Sequence, residues 1–126
     1  MRIFLATLGL GLLLITALAR GQGNETLLQQ GKEIFDNICA ECHRTDGEGL
    51  PGTFPALNGN RFVTGDPKPV IATVLNGRHG QLGIMPTWKN RFNDDQIAGV
   101  VSDIRQAWSN KAGPVTPAMV AAVRGE

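Results

Sequence analysis

The sequence predicts an all-α fold of three to five helices joined by long irregular loops. Three observations carry that expectation. Apolar residues recur at helical spacing in three separate stretches. The 16 Gly and 7 Pro among 126 residues place much of the remaining chain in turns. No stretch alternates apolar and polar residues convincingly enough to read as a strand. A chain of this length has room for one domain, close to the lower size limit for a self-sufficient core once an N-terminal segment is set aside.

That segment is residues 1–19. Arg2 precedes an apolar run from Ile3 to Leu18, and Ala17-Leu18-Ala19 has the small-x-small pattern of a cleavage site, so the stretch reads as an export signal. An uncleaved anchor is the alternative, although the run is slightly short of the roughly 20 apolar residues a span needs, and Thr7 and Thr16 dilute it. Residues 20–126 form the domain in either case.

The first predicted helix runs from Asn24 to Cys42, with Leu27, Leu28, Gly31, Ile34, Phe35 and Ile38 along one side. Gly31 in its middle costs about 1 kcal/mol relative to Ala, which makes sense if another helix approaches closely there. Arg44 to Thr64 is rich in Gly, Pro and Asn and reads as an extended loop whose Phe54, Leu57 and Phe62 need burial. Asp66-Pro67 then caps and starts a short helix with Val70, Ile71, Val74 and Leu75 as its apolar stripe, closed by Asn76-Gly77. A second loop spans Arg78 to Phe92. Asn93 and Gln96 form a capping-box pattern ahead of a closing helix in which Ile97, Val100, Val101, Ile104 and Trp108 share one face. Gly113-Pro114 breaks it, and a short terminal helix covers Thr116 to Val123.

Without Arg2 the chain carries eleven basic and eleven acidic residues, a balance that argues against a nucleic-acid partner. The charges are unevenly placed. Residues 24–58 hold six acids against Lys32 and Arg44, whereas residues 60–92 hold Arg61, Lys68, Arg78, Lys89 and Arg91 against Asp66 alone. Such asymmetry either orients a docking partner or marks two solvated faces.

The chemistry lies in Cys39-Ala-Glu-Cys42-His43, the C-x-x-C-H spacing of c-type haem attachment. Near a helix end the two thiols lie one turn apart, where they can add to the two vinyl groups on one haem edge, and the adjacent imidazole can swing beneath the ring to bind iron. These are the only two cysteines, so neither a disulfide framework nor a zinc site competes for them; His43 and His79 are the only histidines. A thioredoxin-like redox pair would expect a preceding strand and a motif that opens a helix, whereas here the motif closes one. For the opposite face of the iron, Met85 offers a soft thioether from a loop, and Pro86 restricts it to an extended conformation. His79 is its rival.

With these elements in place, the chain resembles class I monohaem cytochromes c over nearly the whole of residues 20–126. The likeness rests on Gly31 and Phe35, the C-x-x-C-H motif, Gly47-x-Gly49-x-Pro51-Gly52, Phe54-Pro55-Ala56-Leu57, Met85-Pro86-x-Trp88 and Trp108. The resemblance implies one covalent haem c, His43 and Met85 as axial iron ligands, and N- and C-terminal helices crossing at Gly31 with Phe35 and Trp108 packed there. It also implies that the Pro51 carbonyl accepts a hydrogen bond from the free ring nitrogen of His43, the alternative being a plain turn proline. Phe54, Leu57, Val74 and Trp88 would line the haem pocket, and Trp88 and Arg61 are candidates to meet the propionates in a chain without tyrosine. The tail from Trp108 to Arg124 is similar to cytochrome subunits or domains associated with membrane-bound dehydrogenases.

Iron closed on both faces has only one-electron transfer open to it. The expected protein is therefore not an enzyme but an exported, periplasmic carrier. Its donor would be a dehydrogenase or reductase and its acceptor a terminal oxidase or reductase, with membrane association only through an uncleaved N-terminus. The alternatives are a haem peroxidase or gas sensor with a displaceable Met85, and a tethered electron-transfer subunit of a dehydrogenase.

Overall fold

The computed structural model describes residues 22–126, so the export-signal reading of residues 1–19 lies outside the described residues. Helix α1 covers residues 22–34 and continues into a widened, π-helical turn, Phe35–Cys39, and then into α2, Ala40–His43. The predicted first helix is thus present, but with a change of winding immediately before the cysteine motif. Its end is abrupt: Arg44 has φ 63°, outside the helical region.

Two short elements occupy stretches that read as loops. Helix α3, Arg61–Thr64, forms because the Asn60 side chain accepts from Phe62 N at 2.9 Å, capping a single turn around buried Val63. Strands β1, Arg78–His79, and β2, Ile84–Met85, pair antiparallel with Arg78 opposite Met85 and His79 opposite Ile84. Strands this short leave no alternation to detect in the sequence, so the expectation of none is corrected by one two-residue ladder.

The longer helices follow their end signals. Helix α4, Pro67–Asn76, starts at Asp66, whose carboxylate accepts from Lys68 N at 3.0 Å, and stops at Gly77 with φ 74°. Helix α5, Asp94–Gln106, carries the full capping box: Gln96 N donates to Asn93 at 2.9 Å and Asn93 N donates back to Gln96 at 3.0 Å. It ends at Gln106, two residues before Trp108, so Trp108 is not on the helical face where the periodicity placed it. Helix α6, Pro117–Arg124, is capped by Thr116.

The core sits where α5 meets α4, α6 and the π-helical turn, with Phe35, Ile71, Leu75, Ile97, Val101 and Val120 buried. Helices α1 and α5 cross backbone to backbone. A Cβ on Gly31 would lie 2.6 Å from Val100 N and closer still to the Gly99 carbonyl, and one on Gly99 would meet Leu27 O. Phe35 and Trp108 pack edge to face beside the crossing, with ring centroids 5.3 Å apart. Trp108 reaches this position from a left-handed backbone, φ 55°, donates from Nε1 to Thr45 O at 2.9 Å, and covers Gly47. Among the described residues, no helix is long and apolar enough to cross a membrane.

Candidate haem-binding site

Cys39, Cys42 and His43 lie at the end of the first helical run, all half-buried. Cys39 and Cys42 are free thiols. Burial, the carboxylate of Asp103 and the neighbouring Cys42 push the Cys39 thiol up to about 11. A thiol held protonated in this way is poorly suited to disulfide exchange, which works through a thiolate with a lowered pKa. The local environment therefore opposes the redox-pair alternative.

His43 is fixed by the loop that follows it. Its Nδ1 lies 3.0 Å from Pro55 O and donates to it, which leaves Nε2 with its lone pair free. Burial holds the imidazole pKa below its usual value, with the Pro55 carbonyl opposing, so the neutral, metal-ligating form is favoured. The partner is not Pro51, as the resemblance implied. Leu50 and Phe54 close on each other through Leu50 N to Phe54 O, 2.9 Å, and Phe54 N to Leu50 O, 2.8 Å, which turns residues 51–53 outward as an exposed tip. The returning strand then lays Pro55 O against Gly49, where a Cβ would come within 2.6 Å of it, while Gly49 N donates to His43 O at 2.9 Å. One proline starts this tip and another follows it, and which carbonyl faces the imidazole depends on the fold of the turn, which the sequence does not display.

Met85 is held from behind by α4. The last carbonyls of that helix take outside donors: Thr87 Oγ1 reaches Leu75 O at 2.7 Å, Lys89 N reaches it at 3.0 Å, and Trp88 N reaches Val74 O at 3.3 Å. Gly77 makes room, since its Cβ would strike Met85 O and Pro86 C. The ladder register separates Met85 from its rival. Adjacent strand residues point to opposite faces and cross-strand partners share one, so His79 lies with exposed Ile84 on the face opposite Met85. Met85 packs against the core.

The other expected pocket residues are distributed around these segments. Leu57 and Trp88 are half-buried against the core, Val74 is buried on α4, and Phe54 is half-buried with its ring under Gly83. Arg61 is exposed on the first turn of α3. Trp88 stacks on Phe92 with centroids 5.5 Å apart, and Arg91 lies over both rings. Large apolar side chains stay exposed in these same segments: Leu50 46%, Phe62 41%, Leu82 44% and Ile84 67%. These side chains are apolar surface that a bound group could cover. Free thiols one turn apart, an imidazole with one nitrogen engaged, a thioether on a core-facing strand and surplus apolar surface together make a donor set that fits a haem.

Comparison with known proteins is decisive for the family. Residues 26–102 match the family described as cytochrome c oxidase, cbb3-type, subunit III. The chain belongs to this cytochrome c family. It is therefore an electron-transfer haem domain, and its all-α architecture is that of the class. The cytochrome is 35% identical over 101 residues to the cytochrome c subunit of a quinone alcohol dehydrogenase from Gluconobacter oxydans (strain 621H), covering 73% of this chain and 20% of that one. It is 36% identical over 118 residues to the cytochrome c subunit of gluconate 2-dehydrogenase from Pantoea cypripedii, covering 86% and 26%. Cytochrome c-552 of Thermus thermophilus is 32% identical over 92 residues, covering 64% of this chain and 69% of the relative. The cytochrome thus spans only a fifth to about a quarter of the dehydrogenase subunits it matches.

Sequence reasoning missed three polar anchors of this domain. Asn110 is buried and ties the loop to α5, donating to Leu57 O at 3.0 Å and Ile104 O at 2.8 Å while accepting from Gly59 N at 2.8 Å. Arg105 is buried and donates to Val63 O, Gly65 O and Gly113 O at 2.7, 2.9 and 2.9 Å. Arg124 is the third. Each acts across a long stretch of chain, and none stands in a local motif.

Proposed function

We propose that this cytochrome holds one haem c through thioether bonds from Cys39 and Cys42, with His43 and Met85 as axial ligands, and carries single electrons between redox proteins. Each bond would form when a cysteine S–H adds across a vinyl C=C, a carbon–sulfur bond appearing as the hydrogen goes to the neighbouring carbon, with no net redox change. The Pro55 carbonyl would keep His43 in the tautomer that offers Nε2 and make the imidazole more electron-donating. Bound there, the haem supplies a reversible one-electron couple, and a thioether ligand in an apolar setting favours its reduced form. Leu57, Val74 and Trp88 would exclude water, Phe54 would close the near edge, and Arg61 or Trp88 would meet a propionate.

The observation that carries the ligand assignment is the hairpin register, which turns Met85 to the core and His79 to the exposed face. A thioether kept on the iron makes the protein a carrier in preference to a peroxidase or gas sensor. The likeness to dehydrogenase cytochrome subunits favours a dehydrogenase as electron donor and a terminal oxidase or reductase as acceptor. It also favours an exported location, with residues 1–19 serving as a cleaved signal or a tether.

Absorbance tests the ligand set. The wild-type ferric protein should show a far-red methionine-to-iron charge-transfer band at neutral pH, and the reduced protein should not bind carbon monoxide. Met85→Ala should abolish the band and admit carbon monoxide, while His79→Ala should change neither. A band that survives Met85→Ala would overturn the assignment.

A further inference from the structure

Helix α6 lies beyond residues 26–102, the part that matches the family model, yet it is built into the molecule. Val120 is fully buried, Val115 nearly so, and α6 packs on both α4 and α5. Val115 is held in place by Ser102, whose hydroxyl donates to Val115 O at 3.1 Å and accepts from Val115 N at 2.8 Å. The helix ends on Arg124, whose guanidinium turns away from its own helix. Nε donates to Asp94 Oδ1 at 2.7 Å, Nη2 to Phe92 O at 2.9 Å, and Nη1 to Lys89 O. Arg124 and Asp94 are both largely shielded from solvent, with side-chain exposures of 24% and 33%.

These partners have one thing in common. Lys89 and Phe92 belong to the stretch that leads away from Met85, and Asp94 is the first residue of α5. One cation therefore gathers the exit of the Met85 segment onto the start of the helix it runs into. The entrance is held separately by the β1–β2 pairing, and the α4 carbonyls take Thr87, Trp88 and Lys89 between Met85 and the Arg124 contacts at Phe92 and Asp94. No apolar side chain in residues 80–92 is fully buried: Met85, Trp88 and Phe92 are half-buried against the core, and Leu82 and Ile84 are exposed. A segment of that kind opens at low free energy unless polar clamps restrain it. Charge-assisted hydrogen bonds are about twice as strong as neutral ones, and here three converge from one side chain.

We propose that α6 is a latch on the Met85 segment and that Arg124 is a positioning residue, keeping the thioether at the iron by fixing the backbone of residues 89–92. The proposal rests on the reading of Met85 as the axial ligand. Its consequence is that retention of the methionine ligand is controlled from α6, by a residue outside both the haem motif and the β1–β2 hairpin.

The test compares wild-type holoprotein with Arg124→Gln, Arg124→Lys and a remote core variant, Ile104→Val. Three quantities are measured: the far-red band through a pH titration, carbon monoxide binding to the reduced protein, and global unfolding in urea by circular dichroism. Arg124→Gln should raise the fraction of folded protein lacking the band about tenfold or more at a given pH, as loss of charge-assisted bonds implies, and should let carbon monoxide bind. Arg124→Lys, which retains the charge beside Asp94, should fall between it and wild type. Ile104→Val should lower the urea midpoint and leave the band and carbon monoxide exclusion unchanged. If Arg124→Gln lowers the urea midpoint but keeps the wild-type band titration, the residue is merely structural and the latch is wrong. If wild type itself shows no band, the ligand assignment fails first, a distinct result. Should Arg124→Gln not accumulate, Arg124→Lys carries the same comparison.

Discussion

The two halves of this cytochrome are held together by different physics. Where α1 crosses α5, backbone meets backbone through Gly31 and Gly99, and cohesion comes from close packing around Phe35, Ile97 and Val101. The segments 44–60 and 78–92, which carry Pro55 and Met85, have few buried apolar side chains. They are held by hydrogen bonds to partners outside the segments: Asn110 onto Leu57 O, Thr87 onto the end of α4, and Arg124 onto Phe92 O. The crossing tolerates no added atom but needs few polar bonds. The loop half tolerates exposed side chains but depends on each polar bond, because a buried carbonyl without a donor is costly. An immobile half thus offers a platform from which borrowed hydrogen bonds set the position of the ligands.

The largest effect should come from closing the gap at the crossing. Gly31→Ala places a methyl against the Gly99 carbonyl and Val100 N, where no flexible side chain can give way, and should cost about 3 kcal/mol or more in urea unfolding of the holoprotein. An unchanged midpoint would mean that the helices are free to separate. On the loop side, Asn110→Leu keeps most of the buried volume but strips Leu57 O and Ile104 O of their donor and Gly59 N of its acceptor. A loss of about 3 kcal/mol is expected, because each buried group left without a partner costs about 1–3 kcal/mol. A loss below about 1 kcal/mol, the usual net value of one ordinary hydrogen bond, would show the two halves to be less different than the geometry indicates.

The smallest effect should be electrostatic and confined to the crossing side. Asp103 on α5 has its carboxyl pKa raised by burial, with Lys32 opposing and Asp36 adding to the rise. The folded state therefore binds that proton more tightly than the unfolded chain does. The stability this contributes is present below the unfolded pKa and is lost as pH rises through the raised folded value. Asp103→Asn should accordingly raise the thermal midpoint slightly at neutral pH and make no difference in acid, below the ordinary carboxylate range. A destabilised variant at neutral pH would show that the charge is used.

What could be read from the sequence follows the same division. The starts of α4 and α5 were legible because their signals are local: Asp66 beside Pro67, and Asn93 three residues before Gln96. The cysteine motif and the close approach at Gly31 were legible for the same reason. The contacts made across the loop half were not. Pro55 in place of Pro51 depends on a tight return between Leu50 and Phe54, and α3 depends on one side-chain cap. Trp108 leaves the helix that periodicity assigned to it, because a left-handed residue lets its indole reach Thr45 and Phe35. Arg124 contacts residues about thirty positions away, a relation that no local pattern carries.

The π-helical turn at Phe35–Cys39 has a bearing on chain length. Each residue of an α-helix advances the azimuth by about 100°, and a π turn accommodates one extra residue within an otherwise helical run. A single-residue deletion among Asp36, Asn37 and Ile38 would remove that extra residue and let the helix wind uniformly with both thiols and the imidazole on their present side, whereas a deletion in the regular helix before it would swing them by about 100°. Exposed Asp36 and Asn37 are therefore open to replacement, and one of them even to removal: the turn holds one residue in reserve, while the regular helix before it is strict about count.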